Sequence, residues 1–318
     1  MITDREASYP VSSRKNGKGV VSVRRTQPLV TTGSRGLQED SFPFRLYQKA
    51  KRLGVWNPAD IDLTQDVKDW ETLPVQMKDG ILRLIAQFQA GEEAVTRDLL
   101  PLLMVVAKEG RIEEEMYLTT FLFEEAKHTE FFRLVLNALG VKEDLSHYHS
   151  ETYHTIFNDI LPSAMGRLEH DSSPEAVAEA SVVYNMFVEG VLAETGYYGF
   201  YKSLEQMKVM PGLLKGIGYL KKDESRHIAY GTFLLQRLIR EHPYLLEVVM
   251  KKMEQLAPLA VKLNEEAAAR DSIFGPDHHA DIMNFTARQL ATRMEVLKKA
   301  QEKPFDELFG LEESENVG

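Results

Sequence analysis

Phe123-Glu124-Glu125-Ala126-Lys127-His128 sets a carboxylate and an imidazole three residues apart inside a strongly helical run, and the same Glu-x-x-His spacing returns at Glu224-Ser225-Arg226-His227. Three residues turn a helix by about 300°, so each pair projects from nearly one face, one turn apart. One such pair arises often by chance and, alone, reads as a solvated helix face. Two change the reading, because a four-helix bundle that houses two metals takes a Glu-x-x-His from each of two helices and a lone glutamate from each of two more. The glutamates that fit are Glu92, in Gln87-Phe88-Gln89-Ala90-Gly91-Glu92-Glu93-Ala94-Val95, and Glu189, in Tyr184-Asn185-Met186-Phe187-Val188-Glu189-Gly190-Val191. Each interrupts residues that are otherwise mostly apolar or small, where a buried carboxylate would sit. Unpartnered buried carboxylates are costly, so four of them with two imidazoles imply cations in the same place. Oxygen and imidazole ligation suits manganese and iron, and the sequence does not separate the two.

The flanking sequence supplies the helices. Pro74 suits the first turn of a helix whose apolar positions Met77, Ile81, Leu84, Ile85, Phe88, Val95 and Leu99 recur at helical spacing and carry Glu92 inward. Pro101 predicts a kink or restart, Gly110 an end, and Gly140 the stop of a helix from about 113 to 139. Glu92 lies 18 residues before Gly110 and Glu125 lies 15 after it, so an antiparallel hairpin brings them level. A shorter helix is expected over about 150–168, then a long one from Ser173-Pro174 through Glu189 toward Tyr201. Pro211-Gly212 precedes the helix of Glu224 and His227, and two more helices cover about 243–269 and 278–302. Glu189 is 22 residues before Pro211 but Glu224 only 13 after it, so this second pair needs an irregular connection. No segment shows a convincing strand alternation, and the class is all-α.

Composition bounds the rest. With 318 residues, 43% of them hydrophobic, the chain can bury a large core, and a net charge of −10 argues against nucleic acid as a partner. The absence of cysteine excludes disulfides, iron–sulfur clusters and thiol chemistry. No apolar run of the roughly 18 residues of a spanning helix is read, nor the apolar core of a signal peptide, so a cytoplasmic location is expected. Residues 1–40 are basic, polar and Gly-rich and read as a flexible arm; peripheral contact with an anionic membrane surface is the alternative. Residues 41–303 form the helical domain and 304–318 a loose acidic tail.

These features together resemble the ferritin-like superfamily and, within it, the small subunit of ribonucleotide reductase. Phe123-Glu124-Glu125-Ala126-Lys127-His128 and Asp223-Glu224-Ser225-Arg226-His227 match its two motifs, and Trp56-Asn57-Pro58 through Asp66 resembles its N-terminal tryptophan segment. The likeness spans residues 44 to about 260. Ala90-Gly91-Glu92-Glu93-Ala94-Val95-Thr96, Val183-Tyr184-Asn185-Met186-Phe187-Val188-Glu189-Gly190 and Asp60-Ile61-Asp62 resemble in particular the ligand-binding oxidases with a manganese/iron cofactor. Three departures from an ordinary reductase subunit agree with this. Phe132 stands where the radical tyrosine would be, Glu92 replaces the usual aspartate, and no tyrosine follows Tyr244 to relay a radical through a tail.

The resemblance implies manganese at Glu92, Glu125 and His128, and iron at Glu189, Glu224 and His227, with Glu125 and Glu224 able to bridge. It implies that Asp223 fixes the ring of His128, and it makes Trp56 a candidate partner, although half-buried packing is the simpler reading of that residue. It also implies an ether between the oxygen of Tyr184 and a side-chain carbon of Val95. Tyr184 is five residues before Glu189, about 140° away on an ideal helix, so facing the metals requires a π-type bulge. A long-chain fatty acid as ligand, an apolar tunnel for its tail, dioxygen as co-substrate and a homodimer follow from the same resemblance. The expected activity is two-electron C–H oxidation of a lipid-like substrate. Its competitors are a class Ic reductase subunit, a metal- or fatty-acid-binding protein without turnover, and ferritin-like iron storage.

Overall fold

Proline and glycine set most helix boundaries in the computed structural model, which describes residues 13–15, 21–23, 29–205, 207–270 and 275–299. The chain divides into two units, Met1–Glu39 and Asp40–Gly318. In the first, β1 (Ser13–Lys15) pairs antiparallel with β2 (Val21–Val23), Ser13 opposite Val23. The all-α class expected from the sequence stands beside this pairing of two three-residue strands: alternation over Val21-Ser22-Val23 is too short to be read as a strand beforehand. The acidic tail 304–318 lies outside the described residues.

Among its described residues, all regular elements of the second unit are helical. It opens with α1 (Phe42–Leu53), a 3₁₀ turn at Pro58–Asp60 and α2 (Thr64–Thr72). Next come α3 (Val75–Asp98), α4 (Leu100–Glu109), restarted at Pro101, and α5 (Ile112–Ala138). Gly110 and Gly140 take φ of 72° and 73°, the left-handed conformation in which glycine has no Cβ penalty, and so close α4 and α5. After α5, α6 (Glu151–His154) and α7 (Leu161–Arg167) are joined by a π-helical turn, Thr155–Ile160. Ser173 caps α8 (Pro174–Ser181), its side chain accepting from the amide of Ala176. That helix continues as a twelve-residue π segment, Val182–Ala193, then α9 (Glu194–Phe200) and a second π segment, Tyr201–Glu205. The unit is completed by α10 (Pro211–Glu241), α11 (Leu245–Arg270) and α12 (Pro276–Lys298).

Four runs form the inner bundle: α3, α5, the α8–π–α9 run and α10. Helix α1 lies against α5 and α10, while α11 and α12 cover the π segment. The run Pro174–Glu205 is long and apolar enough to cross a membrane by length and composition, contrary to the sequence reading. Its most apolar stretch is 83% buried among the other helices, which accounts for its composition as that of a core helix.

The irregular connection expected before α10 is present. Lys208 and Met210 take φ of 55° and 56°, positions uncommon for residues with a Cβ. Helix α2, to which the sequence reading assigns no element, holds this turn in place. Buried Asp66 accepts from the amides of Gly212 and Leu213 at 2.8 and 2.7 Å, and Asp69 from that of Met210 at 2.8 Å. Carboxylates from one helix thereby satisfy the orphan N–H groups that open another.

Candidate metal centre

Each of the four inner runs delivers one part of the cluster. Regular α-helix in α3 buries Glu92 and Val95 on one face, and α5 carries Glu125 and His128 inward. Glu224 and His227 face them from α10, and Glu189 comes from the middle of the π segment. Two ligating groups result, Glu92/Glu125/His128/Glu224 and Glu125/Glu189/Glu224/His227, each with its ligating atoms within 4.8 Å of one another. Glu125 and Glu224 belong to both. All six residues named from the sequence are thus brought to one place, and the two glutamates expected to bridge are the shared ones.

Nδ1 of His128 lies 3.4 Å from Glu92, 3.7 Å from Glu125 and 3.4 Å from Glu224. Nδ1 of His227 lies 3.0 Å from Glu125, 3.7 Å from Glu189 and 3.4 Å from Glu224. Both Nδ1 atoms, both oxygens of Glu125, and one oxygen each of Glu189 and Glu224 are buried without a hydrogen-bond partner. Six orphaned atoms converging on two points are intolerable in a dry interior unless cations satisfy them. The donor set, carboxylates with one imidazole per position, fits manganese or iron.

Burial pushes Glu92 up to about 8 and Glu189 well above the carboxylate range. In Glu125 burial is outweighed by His128 and His227, which hold it down at about 2. Both imidazoles, despite burial, are held well above their ordinary value by the acids around them.

The far nitrogens of the imidazoles show a pattern that sequence reading caught only in part. Nε2 of His128, on α5, meets Asp223 of α10 at 3.3 Å, as the resemblance implied. Nε2 of His227, on α10, meets Glu124 of α5 at 2.9 Å, a contact not foreseen. Each acid immediately precedes a glutamate of its own motif and braces the histidine of the other. Arg226, 5% exposed, ties the two acids together, bonding to Glu124 at 2.6 Å and to Asp223. A usable signal was present in the acid–Glu–x–x–His form shared by both motifs: a residue one step before the ligand points about 100° away, at a neighbouring helix.

Trp56 is more than a packing residue. Its indole N–H donates to Asp223 at 2.8 Å, and Lys127 donates to the same oxygen at 3.2 Å. Tyr197, also unforeseen, places its hydroxyl 3.5 Å from Glu92 and 3.4 Å from Glu224.

The π segment does what the Tyr184 spacing required. In i→i+5 geometry residues five apart fall on one face, so Tyr184 and Glu189 both point inward. The Tyr184 hydroxyl donates to the backbone carbonyl of Val95 at 3.0 Å. Beyond the carboxylates lies a cavity of about 260 Å³. Glu92, Glu189 and Glu224 form its polar end, and Val95, Phe88, Phe157, Leu192 and Met283 are among its apolar walls.

Comparison with known proteins agrees with this centre. Residues 41–297 match the family described as ribonucleotide reductase, small chain. A valine-to-leucine variant of an R2-like ligand-binding oxidase, with an aerobically reconstituted Mn/Fe cofactor, is 40% identical with a TM-score of 0.81, over 85% of this chain and 98% of its own. A tyrosine-to-phenylalanine variant reconstituted in the same way is 39% identical with a TM-score of 0.82, over 86% and 99%. A valine-to-isoleucine variant reconstituted anaerobically is 41% identical with a TM-score of 0.79, over 82% and 95%. On its fold, its paired ligand groups and these matches, the chain belongs to the ribonucleotide reductase small-chain family, alongside the R2-like ligand-binding oxidases.

Proposed function

We propose that the chain binds manganese through Glu92, Glu125 and His128 and iron through Glu189, Glu224 and His227, and oxidises C–H bonds of a long-chain fatty acid or similar lipid with dioxygen. The observation that carries this reading is the cavity, whose polar end is made of the metal-binding carboxylates and whose walls are mostly apolar, with Arg83, Gln87, Asn264 and His279 among the polar exceptions. When bound, the metal pair would supply dioxygen activation and accept electrons from the substrate. Around it, Asp223 and Glu124 accept from the Nε2 of each histidine and so aim each Nδ1 lone pair at the cluster. Apolar walls keep water from competing for the oxidising equivalents. A fatty-acid carboxylate at the polar end would complete the ligation, with its tail along the cavity.

The same chemistry would join Tyr184 to Val95. The phenol gives up its O–H hydrogen, a valine carbon gives up a hydrogen, a C–O bond forms, and dioxygen takes the two electrons and two protons. The position of the Tyr184 hydroxyl at Val95 supports this reading. A homodimer in the cytoplasm is proposed on the resemblance and on the cysteine-free composition.

Mass spectrometry of protein loaded with manganese and iron(II), before and after air, tests the reading. A loss of about two mass units, localised to a joined Val95/Tyr184 peptide pair, is the expected result. Separate, unmodified peptides in fully loaded protein would sink it. A second reading, a class Ic reductase small subunit, draws on the hydrogen-bonded line Trp56–Asp223–His128. Nucleotide reduction dependent on an added large subunit would favour it. Absence of repeated turnover on any lipid, with the crosslink present, would favour a binding protein that oxidises itself once.

A further inference from the structure

Five tyrosines are buried in the helical unit: Tyr117, Tyr153, Tyr184, Tyr197 and Tyr230. A phenol surrenders an electron readily only if its proton has somewhere to go, so the hydroxyl partners sort them. Tyr153 and Tyr184 donate to backbone carbonyls, which are poor bases. Tyr197 points at Glu92 and Glu224, whose oxygens are reserved for metal. The hydroxyl of Tyr117 has no partner. Tyr230 alone of the five donates to a carboxylate outside the metal cluster, Glu114, at 3.0 Å.

Tyr230 is also connected to the centre by a chain of ring contacts, one stacked, one edge-on and one tilted. His227 stacks on Phe121 at 3.7 Å between centroids, with planes 6° apart. Phe121 meets Tyr117 at 6.1 Å, and Tyr117 meets Tyr230 at 5.2 Å. All four rings are fully buried. Beyond Glu114 the route becomes polar and reaches the surface: Arg237 and Arg111 lie 3.5 and 3.8 Å from its carboxylate and bridge to Glu109 and to Glu241, whose side chain is 43% exposed. None of Phe121, Tyr117 or Tyr230 lines the substrate cavity.

We propose that Tyr230 and Glu114 form a proton-coupled redox site that drains oxidising equivalents from the metal pair when no substrate is bound. This rests on the dioxygen-activating reading above. Tyr230 gives one electron to the oxidised metal pair and its phenolic proton to Glu114, leaving a neutral phenoxyl and a carboxylic acid. A one-electron reductant of the ascorbate class returns the electron, and Glu114 returns the proton. An oxidant formed in an empty cavity otherwise attacks the residues around it. The ring path ends such an event at a side chain that recovers.

The test uses the full chain loaded with manganese and iron(II), exposed to dioxygen without added lipid and frozen at intervals for electron paramagnetic resonance. A phenoxyl signal is expected, narrowed by ring-deuterated tyrosine, absent in Tyr230→Phe and at least tenfold weaker in Glu114→Gln. Peptide mass spectrometry should show several-fold more oxygen-atom additions near the cavity in Tyr230→Phe, with the Val95/Tyr184 mass loss retained. A signal that survives Tyr230→Phe, or no signal in protein that has formed the crosslink, overturns the proposal. Absence of both crosslink and dioxygen uptake would instead fault the oxidase reading. Should Tyr230→Phe fail to load metal, ring-fluorinated tyrosine in the wild-type chain decides through fluorine splitting of the signal, with Glu114→Gln as the second arm.

Discussion

The two halves of the centre are built by different means. In the first, Glu92 and Glu125 sit on regular helices, and α3 and α5 are linked by a helix that restarts at a proline and closes at a left-handed glycine. In the second, Glu189 sits on a wide π turn, and the link to α10 passes through two left-handed residues with side chains, held from outside by Asp66 and Asp69. Ligation alone needs two glutamates and a histidine from each half. The π turn adds a second inward residue, Tyr184, on the same face as Glu189. The regular half supplies ligands and the irregular half supplies ligands plus an oxidisable partner.

The largest test of that division is ligand removal. Glu125→Ala or Glu224→Ala, shared by both groups, should leave the protein with neither ion by elemental analysis. Glu92→Ala should empty only the first position and Glu189→Ala only the second, read by anomalous scattering at the manganese and iron edges. Equal loss from all four variants would mean that the halves are not separable.

The braces come next and should act crosswise. Asp223→Asn, on α10, is expected to weaken metal at His128, and Glu124→Gln, on α5, at His227, each by about 10- to 100-fold in chelator competition. Loss on the mutated helix's own side would break the crossing. Proton linkage is smaller. Glu92 sits at about 8 without ions, so below that pH loading must displace a proton from it. Apparent affinity should then fall about tenfold per unit of pH for each proton released. Affinity unchanged between pH 8 and pH 6 would contradict this. The smallest effects concern backbone crowding. A Cβ at Gly231 would meet Asn185 of the π segment at 2.2 Å, whereas one at Gly91 finds ordinary contact with Phe157 at 3.6 Å. Gly231→Ala should therefore destabilise by about 1–3 kcal/mol, while Gly91→Ala should be neutral or stabilise by up to about 1 kcal/mol. Denaturant melts of the two variants measure both.

The same division explains what could be read from the chain. The first half follows the 3.6-residue period, so Glu92, Val95, Glu125 and His128 could be assigned to one interior face directly. In the second half the period fails at Tyr184, and the conflict itself called for the π turn that the structure contains. Helix α2 escaped notice because Thr64-Gln65-Asp66-Val67 has little apolar periodicity, its task being to cap another helix. Glu124 and Arg226 were legible as residue types within the motifs, but their partners lie on a different helix, which no one-dimensional spacing reports. The cavity was inaccessible for the same reason: its walls come from helices far apart in the chain.

The crosswise bracing has a consequence for how such a site is inherited. A lineage that altered Glu124 would first feel the loss at His227, about a hundred positions further along, and one that altered Asp223 would feel it at His128. With Arg226 joining both acids, neither motif can drift, be exchanged or be duplicated without the other registering the change. The two five-residue stretches are passed on as one word written in two places.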